Sequence, residues 1–139
     1  MVQFYEMKNL CNLTNHHLTN EQVRVIKSMG YEIIEKEDCL DPEILEKLSN
    51  IGLGENLHAL ADRVLAGLEK IQDLKAIHLP IGSPAFMVIL LESFEDSIIG
   101  NRINEIIFSH TKRLADKSFV FEGFERIIFH GKFYQRREK

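Results

Sequence analysis

The sequence predicts an α/β fold: an open, mostly parallel sheet flanked by helices, with a C-terminal β-hairpin. Three observations predict it. Short apolar runs of strand length alternate with longer stretches whose apolar residues recur at helical spacing. That alternation calls for crossover connections, which join parallel neighbours in one open sheet. From Phe119 onward the pattern changes to short Phe- and Ile-rich runs around Glu122-Gly123, as in a hairpin. All 139 residues fit one domain, with an α/β core over 1–113 and the hairpin and a basic tail over 114–139.

The elements follow in order. Lys8 to Thr14 reads as the first strand, with Leu10, Cys11 and Leu13 as its apolar members. Thr19 and Gln22 form a capping box, and the helix they open carries Val23, Ile26 and Met29 on one face until Gly30 stops it. Tyr31 to Glu35 is the second strand, centred on Ile33 and Ile34. Asp41-Pro42 supplies a cap and a proline at the first helical position, opening a short helix through Leu48. Leu57, Leu60, Ala61, Val64, Leu65, Leu68 and Ile71 make one broad apolar face of a longer helix. Leu74 to Leu79 is a buried strand. Ala85 to Leu91 is apolar on every side, which reads as a helix buried against the sheet and running to about Phe94 or on through Ile99 to Gly100. Ile103 to Phe108 is the fourth strand, ended by the polar run Ser109 to Arg113.

In an open parallel sheet, ligands bind beyond the carboxyl ends of the strands. Here those ends carry Asn15 and His16, then Gly82 and Ser83, then Ser109 to Arg113, so three polar clusters converge on one crevice. Gly82 permits a tight turn and close approach of a ligand to the backbone. Ser83 is a helix N-cap and Pro84 suits the next position, which leaves N–H groups and a positive dipole end facing the crevice. The arrangement suits a phosphate; good turn and cap chemistry would also account for it. His16 and His17 could move protons near neutral pH or stand as a solvated pair. Lys112 and Arg113 could grip a phosphate or form an exposed basic turn.

Bulk properties exclude several classes. The net charge of −4 provides no global field for long nucleic acid. Cys11 and Cys39 form no C-x-x-C, which fits a reducing compartment rather than a disulfide scaffold. The N-terminal residues show no signal-peptide pattern, and no apolar run approaches a membrane span, so the expected location is cytoplasmic. The six histidines lack H-x-H or H-E-x-x-H spacing, so no metal site is expected. Ser83 has no G-x-S-x-G frame, which argues against a hydrolase nucleophile there.

Three motifs carry a family resemblance. Asn12-Leu13-Thr14-Asn15-His16 running into Leu18-Thr19 and Gln22 resembles the first strand and helix of small, single-domain, CARF-like CRISPR-associated proteins of type III systems. Ile81-Gly82-Ser83-Pro84 resembles their ligand-binding turn. Thr111-Lys112-Arg113, with Phe129-His130 and Lys132-Phe133 further on, resembles their closing segment. One position departs from the pattern: Leu114 stands where an acidic residue is expected after the triplet. The resemblance implies a Rossmann-like homodimer that binds cyclic oligoadenylate, with tetra-adenylate as the expected ring. Several small members are ring nucleases, in which a ribose 2′-hydroxyl attacks its neighbouring phosphate without metal or cofactor. On that pattern Asn12, Thr14, Asn15, Gly82, Ser83 and Thr111 would hold the ligand. Lys112 and Arg113 would stabilise charge, and His16 or His110 would move a proton. A non-catalytic sensor or sponge, or a protein-interaction module built on the Phe-rich hairpin, are the alternatives.

Overall fold

The computed structural model describes residues 8–132. The elements in order are β1 (Lys8–Asn12), α1 (Asn20–Ser28), β2 (Tyr31–Glu35), a 3-10 turn (Lys36–Asp38), α2 (Pro42–Ser49), α3 (Leu57–Leu68), β3 (Leu74–Leu79), α4 (Pro84–Phe94), β4 (Glu105–Arg113) and β5 (Phe119–Ile128). The strands form one sheet in the order β2-β1-β3-β4-β5. Neighbours from β2 to β4 are parallel, and β5 runs antiparallel to β4. The chain is therefore α/β, with a mostly parallel sheet flanked by helices and a C-terminal hairpin.

Period-two alternation divides the sheet into two faces. Leu10, Ala76 and Ile107 point to the side where Ile26 of α1 packs. Cys11, Ile77, Leu79 and Ile106 point to the other side, where Ile44 and Leu48 of α2, Leu60, Val64 and Leu68 of α3, and Phe86, Leu90 and Phe94 of α4 pack. The strand order reverses between β1 and β3, and the crossover helices lie on opposite faces on either side of that reversal. This is the switch point at which open sheets leave a crevice.

Local chemistry sets most of the boundaries. Thr19 accepts from the Gln22 N–H and Gln22 answers at the Thr19 N–H, so the expected capping box opens α1. Ser83 accepts from the Phe86 N–H at 3.2 Å and caps α4. Asp41 occupies the cap position of α2, but its side chain makes no capping hydrogen bond.

Four expectations need correction. The first strand ends at Asn12 rather than Thr14, because the Asn12 side chain takes the Thr14 N–H at 3.2 Å and turns the chain. Helix α4 is not buried all round: Phe86, Leu90 and Phe94 are buried, but Val88 is 64% exposed. The run Ser109 to Arg113 does not follow the fourth strand but belongs to it. Glu122-Gly123 is not a turn. Residues 119–128 are one strand, irregular beside His110 and Thr111, and the turn lies at 114–118. There the Leu114 N–H donates to the Ser118 carbonyl at 2.8 Å, and Asp116 accepts from the Ser118 N–H and hydroxyl. Of the expected basic tail, Lys132 to Lys139, residues 133–139 with Phe133 among them lie outside the described residues.

Candidate functional site

The β4–β5 hairpin is longer than the sheet it closes. Strand β3 pairs with β4 only over Ala76–Leu79 and Glu105–Phe108, so Ser109 to Arg113 run past the end of β3 with β5 as their partner. This overhang, the loop after β1, the turn after β3 and the start of α1 enclose a cleft of about 550 Å³ at the switch point. Its walls are Thr14, Asn15, His16, His17 and Leu18 from the first loop, Gln22 from α1, and Pro80, Ile81 and Gly82 from the turn. Ser109, Thr111 and Phe119 come from the hairpin, and His78 lies at the floor. Among the described residues no Asp or Glu, and no Lys or Arg, lines it. The volume is in the range of small-molecule sites.

The first loop is held from several sides. Asn12 Nδ2 donates to the Glu35 carboxylate at 3.1 Å and to the His16 carbonyl at 3.3 Å. Lys36 Nζ donates to the Thr14 carbonyl, and Asn15 Nδ2 reaches the Leu48 carbonyl at 3.4 Å. Behind the turn, the Ile81 N–H meets Met87 Sδ at 3.4 Å.

The expected site residues sort by strand geometry. Thr14, Asn15, His16, Gly82 and Thr111 line the cleft. Asn12 lies buried beneath it, and Ser83 stands behind Gly82 as the α4 cap. Along β4, Ser109 and Thr111 face the cleft, so His110 and Lys112 project from the opposite face. There His110 Nε2 lies 3.6 Å from Glu125. Arg113 returns to the cleft side, where its guanidinium lies 6.0 Å from the Phe119 ring centroid, a cation–π distance.

His78 was not foreseen. It is 1% exposed, and burial pulls its pKa from 6.5 down to about 4, so the ring is neutral at physiological pH. Nδ1 lies 3.0 Å from Asn12 Oδ1, Nε2 is hydrogen-bonded to the Ser109 hydroxyl, and the ring edge meets Phe124. The sequence did hold a signal: His78 is a polar residue in an apolar strand covered on both faces, where an unpaired imidazole would be costly. Phe119 and Gln22 also gain their place at the cleft only from the fold, whereas Ser109 lies at the crevice as expected.

Among the described residues, no group of three or more His, Cys, Asp or Glu side chains is placed to hold a metal ion. No helix among them is long and apolar enough to cross a membrane. No family model, no curated protein and no solved structure matches the chain.

Proposed function

We propose that this chain binds cyclic oligoadenylate and opens the ring, as a cytoplasmic, Rossmann-like homodimer of the CARF type that switches off type III CRISPR signalling. The observation that carries the reading is the lining of the cleft. In a chain with a net charge of −4, this crevice is lined by hydroxyls, amides, imidazoles and apolar side chains and by no acidic side chain among the described residues. A polyanion rich in sugar hydroxyls needs such a surface. Gly82 beside the α4 N-terminus suits a phosphate, and Phe119 at the mouth offers a face on which a base can stack. The three motifs that resemble CARF-like proteins supply the ligand class, and all three contribute residues to this cleft.

The proposed reaction is attack of a ribose 2′-hydroxyl on its own neighbouring phosphate. The protein then needs to hold the sugar in line and stabilise charge on phosphorus. A two-fold dimer would set two clefts against a symmetric ring. Among the described residues no Lys or Arg lines the cleft and Arg113 lies only beside Phe119 on its rim, which favours a second reading, a sensor or sponge that binds the ring without cutting it.

The test is incubation with cyclic tetra-adenylate, with and without EDTA, followed by chromatography. Linear product ending in a 2′,3′-cyclic phosphate, formed in EDTA, supports the nuclease reading. An intact ring that raises the melting temperature supports the sponge. An intact ring with no stabilisation overturns both.

A further inference from the structure

The proton that leaves the attacking hydroxyl must go somewhere, and the cleft floor offers a route. Asn12 Nδ2 is turned toward the Glu35 carboxylate, so the Asn12 oxygen faces the other way. It accepts from the Thr14 N–H at 3.2 Å and the Thr14 hydroxyl at 2.7 Å. An acceptor oxygen 3.0 Å from His78 Nδ1 places the imidazole proton on that nitrogen. Nε2 is then a bare acceptor, and the Ser109 hydroxyl gives it its proton. Ser109 Oγ takes a weak hydrogen bond from Gln22 Nε2 at 3.4 Å, and Ser109 lines the cleft. The order of hydroxyl, imidazole and carbonyl oxygen is that of a serine–histidine relay, with an amide in place of the carboxylate.

We infer that Ser109 is the catalytic residue that receives the proton of the attacking 2′-hydroxyl, with His78 behind it as the store for that proton and Asn12 as the group that fixes the ring. This inference rests on the ring-nuclease reading above. In the step, the 2′-O–H bond breaks and its proton passes to Ser109 Oγ as the serine's own proton moves to His78 Nε2. The 2′-O–P bond forms and the P–O5′ bond breaks. The departing 5′-oxygen takes a proton from water on the far side of phosphorus. His78 later returns its proton to water through Ser109. The product is the linear isomer of the ring, ending in a 2′,3′-cyclic phosphate and a 5′-hydroxyl, with no net uptake of water. His78 is neutral in the resting cleft, so Nε2 is free to take the proton, and the burial that holds its pKa at about 4 makes the protonated ring short-lived.

The test compares wild type with Ser109→Ala, Ser109→Thr and His78→Gln. Single-turnover cleavage of cyclic tetra-adenylate is read beside the Kd for a ring methylated at every 2′-oxygen, which cannot be cut. Ser109→Ala and His78→Gln are expected to lose at least about 100-fold in rate while Kd stays within a few-fold of wild type. Ser109→Thr retains the hydroxyl and is expected to retain most of the rate. Thermal melts of each variant separate loss of chemistry from loss of fold. Wild-type cleavage with an undiminished rate in Ser109→Ala overturns the relay and leaves the nuclease reading intact. A loss in Ser109→Ala that appears wholly in Kd makes Ser109 a binding group and overturns the relay too. Wild-type protein that leaves the ring whole overturns both ideas together.

Discussion

Asn12 and His78 are register partners across β1 and β3, and their side chains hydrogen-bond at 3.0 Å between Oδ1 and Nδ1. The pair sits on the two strands where the sheet order reverses. One amide thereby connects a carboxylate on β2, a turn after β1 and an imidazole on β3. The cleft floor is a polar network inside a sheet that is otherwise apolar at this depth.

Removing the centre of that network should be costly. Asn12→Leu keeps the volume but leaves the His78 Nδ1–H and the Thr14 N–H without their acceptor and the Glu35 carboxylate without its donor. Each such loss costs about 1–3 kcal/mol, and the groups are coupled, so a total on the order of 3 kcal/mol is expected. Asn12→Asp keeps an acceptor but sets a second carboxylate beside Glu35, and should fall between Asn12→Leu and wild type. Urea unfolding at neutral pH gives the order. Stability of Asn12→Leu equal to wild type would show that the network is not formed in solution.

His78 should make folding sensitive to acid. Its pKa is 6.5 when exposed and about 4 when folded. Above pH 6.5 neither state holds the proton and the full stability is present. As pH falls from 6.5 toward 4 the unfolded chain takes up a proton that the native ring refuses, so stability declines, by on the order of 3 kcal/mol in all. His78→Gln removes this component. Unfolding curves for both proteins at neutral pH and at about pH 5 should show a steeper loss in wild type. Parallel losses would mean that the folded ring titrates normally.

Legibility in the sequence followed the physical signals. Tyr31–Glu35 and Leu74–Leu79 match their expected spans because short apolar runs there are bounded by Gly, Asp or Pro. The convergence of Asn15, His16, Gly82, Ser109 and Thr111 follows from topology alone, whereas Thr14 enters through the resemblance. The hairpin is misplaced because Glu122-Gly123 has turn composition but sits at an irregularity in β5, while the true turn at 114–118, Leu-Ala-Asp-Lys-Ser, carries no Gly or Pro to mark it. That misplacement carried a second consequence: with Ser109 to Arg113 read as a loop, the alternation that parts Lys112 from Arg113 could not be seen. His78 escaped notice because its strand reads as apolar, and its partners are distant in sequence.

Two glycines should respond in opposite ways. A Cβ at Gly82 would meet nothing nearer than Asn15 Nδ2 at 3.6 Å, so Gly82→Ala should change stability by less than about 1 kcal/mol. A Cβ at Gly67 would lie 2.5 Å from Leu40 Cδ2 and 2.8 Å from the Cys39 carbonyl oxygen. The gain from alanine in a helix, roughly 0.5–1 kcal/mol, is smaller than the overpacking cost of about 1–3 kcal/mol, because backbone must move. Gly67→Ala should therefore lower the melting temperature and Gly82→Ala should not. Gly82→Ala is accordingly a usable probe of ligand approach to the turn.

Glu105 should hold the base of the hairpin. Burial opposes its ionisation, but hydrogen bonds from Arg126 and Tyr31 outweigh burial and keep the carboxyl below its usual range. Arg126 grips it with two bonds of 2.7 Å from the neighbouring strand, and the Tyr31 hydroxyl donates from the far edge of the sheet. Glu105→Ala leaves both donors without their partner, and a loss of about 1–3 kcal/mol is expected by urea unfolding. The sign with pH follows from the lowered pKa: the contribution is full at neutral pH and fades as pH falls through the carboxylate range. Wild type and Glu105→Ala should therefore converge in acid; a constant gap would assign the loss to packing instead.

The two cations of the closing segment should not be equivalent. Arg113 shares the cleft side of β4 with Ser109 and Thr111 and lies against Phe119, whereas Lys112 projects from the other face. If the cleft holds a cyclic oligoadenylate, Arg113→Ala removes a charge from its mouth and loosens the Phe119 ring. Stacking of a base on an aromatic side chain contributes about 1–3 kcal/mol, so Phe119→Ala should weaken binding by about tenfold or more. Arg113→Ala should weaken it too, with a marked dependence on salt, while Lys112→Ala should lose less than either. Calorimetric titration with cyclic tetra-adenylate at two salt concentrations reads all three. A larger loss from Lys112→Ala than from Arg113→Ala would mean that the ligand is met on the opposite face of the hairpin, and the cleft would no longer be its site.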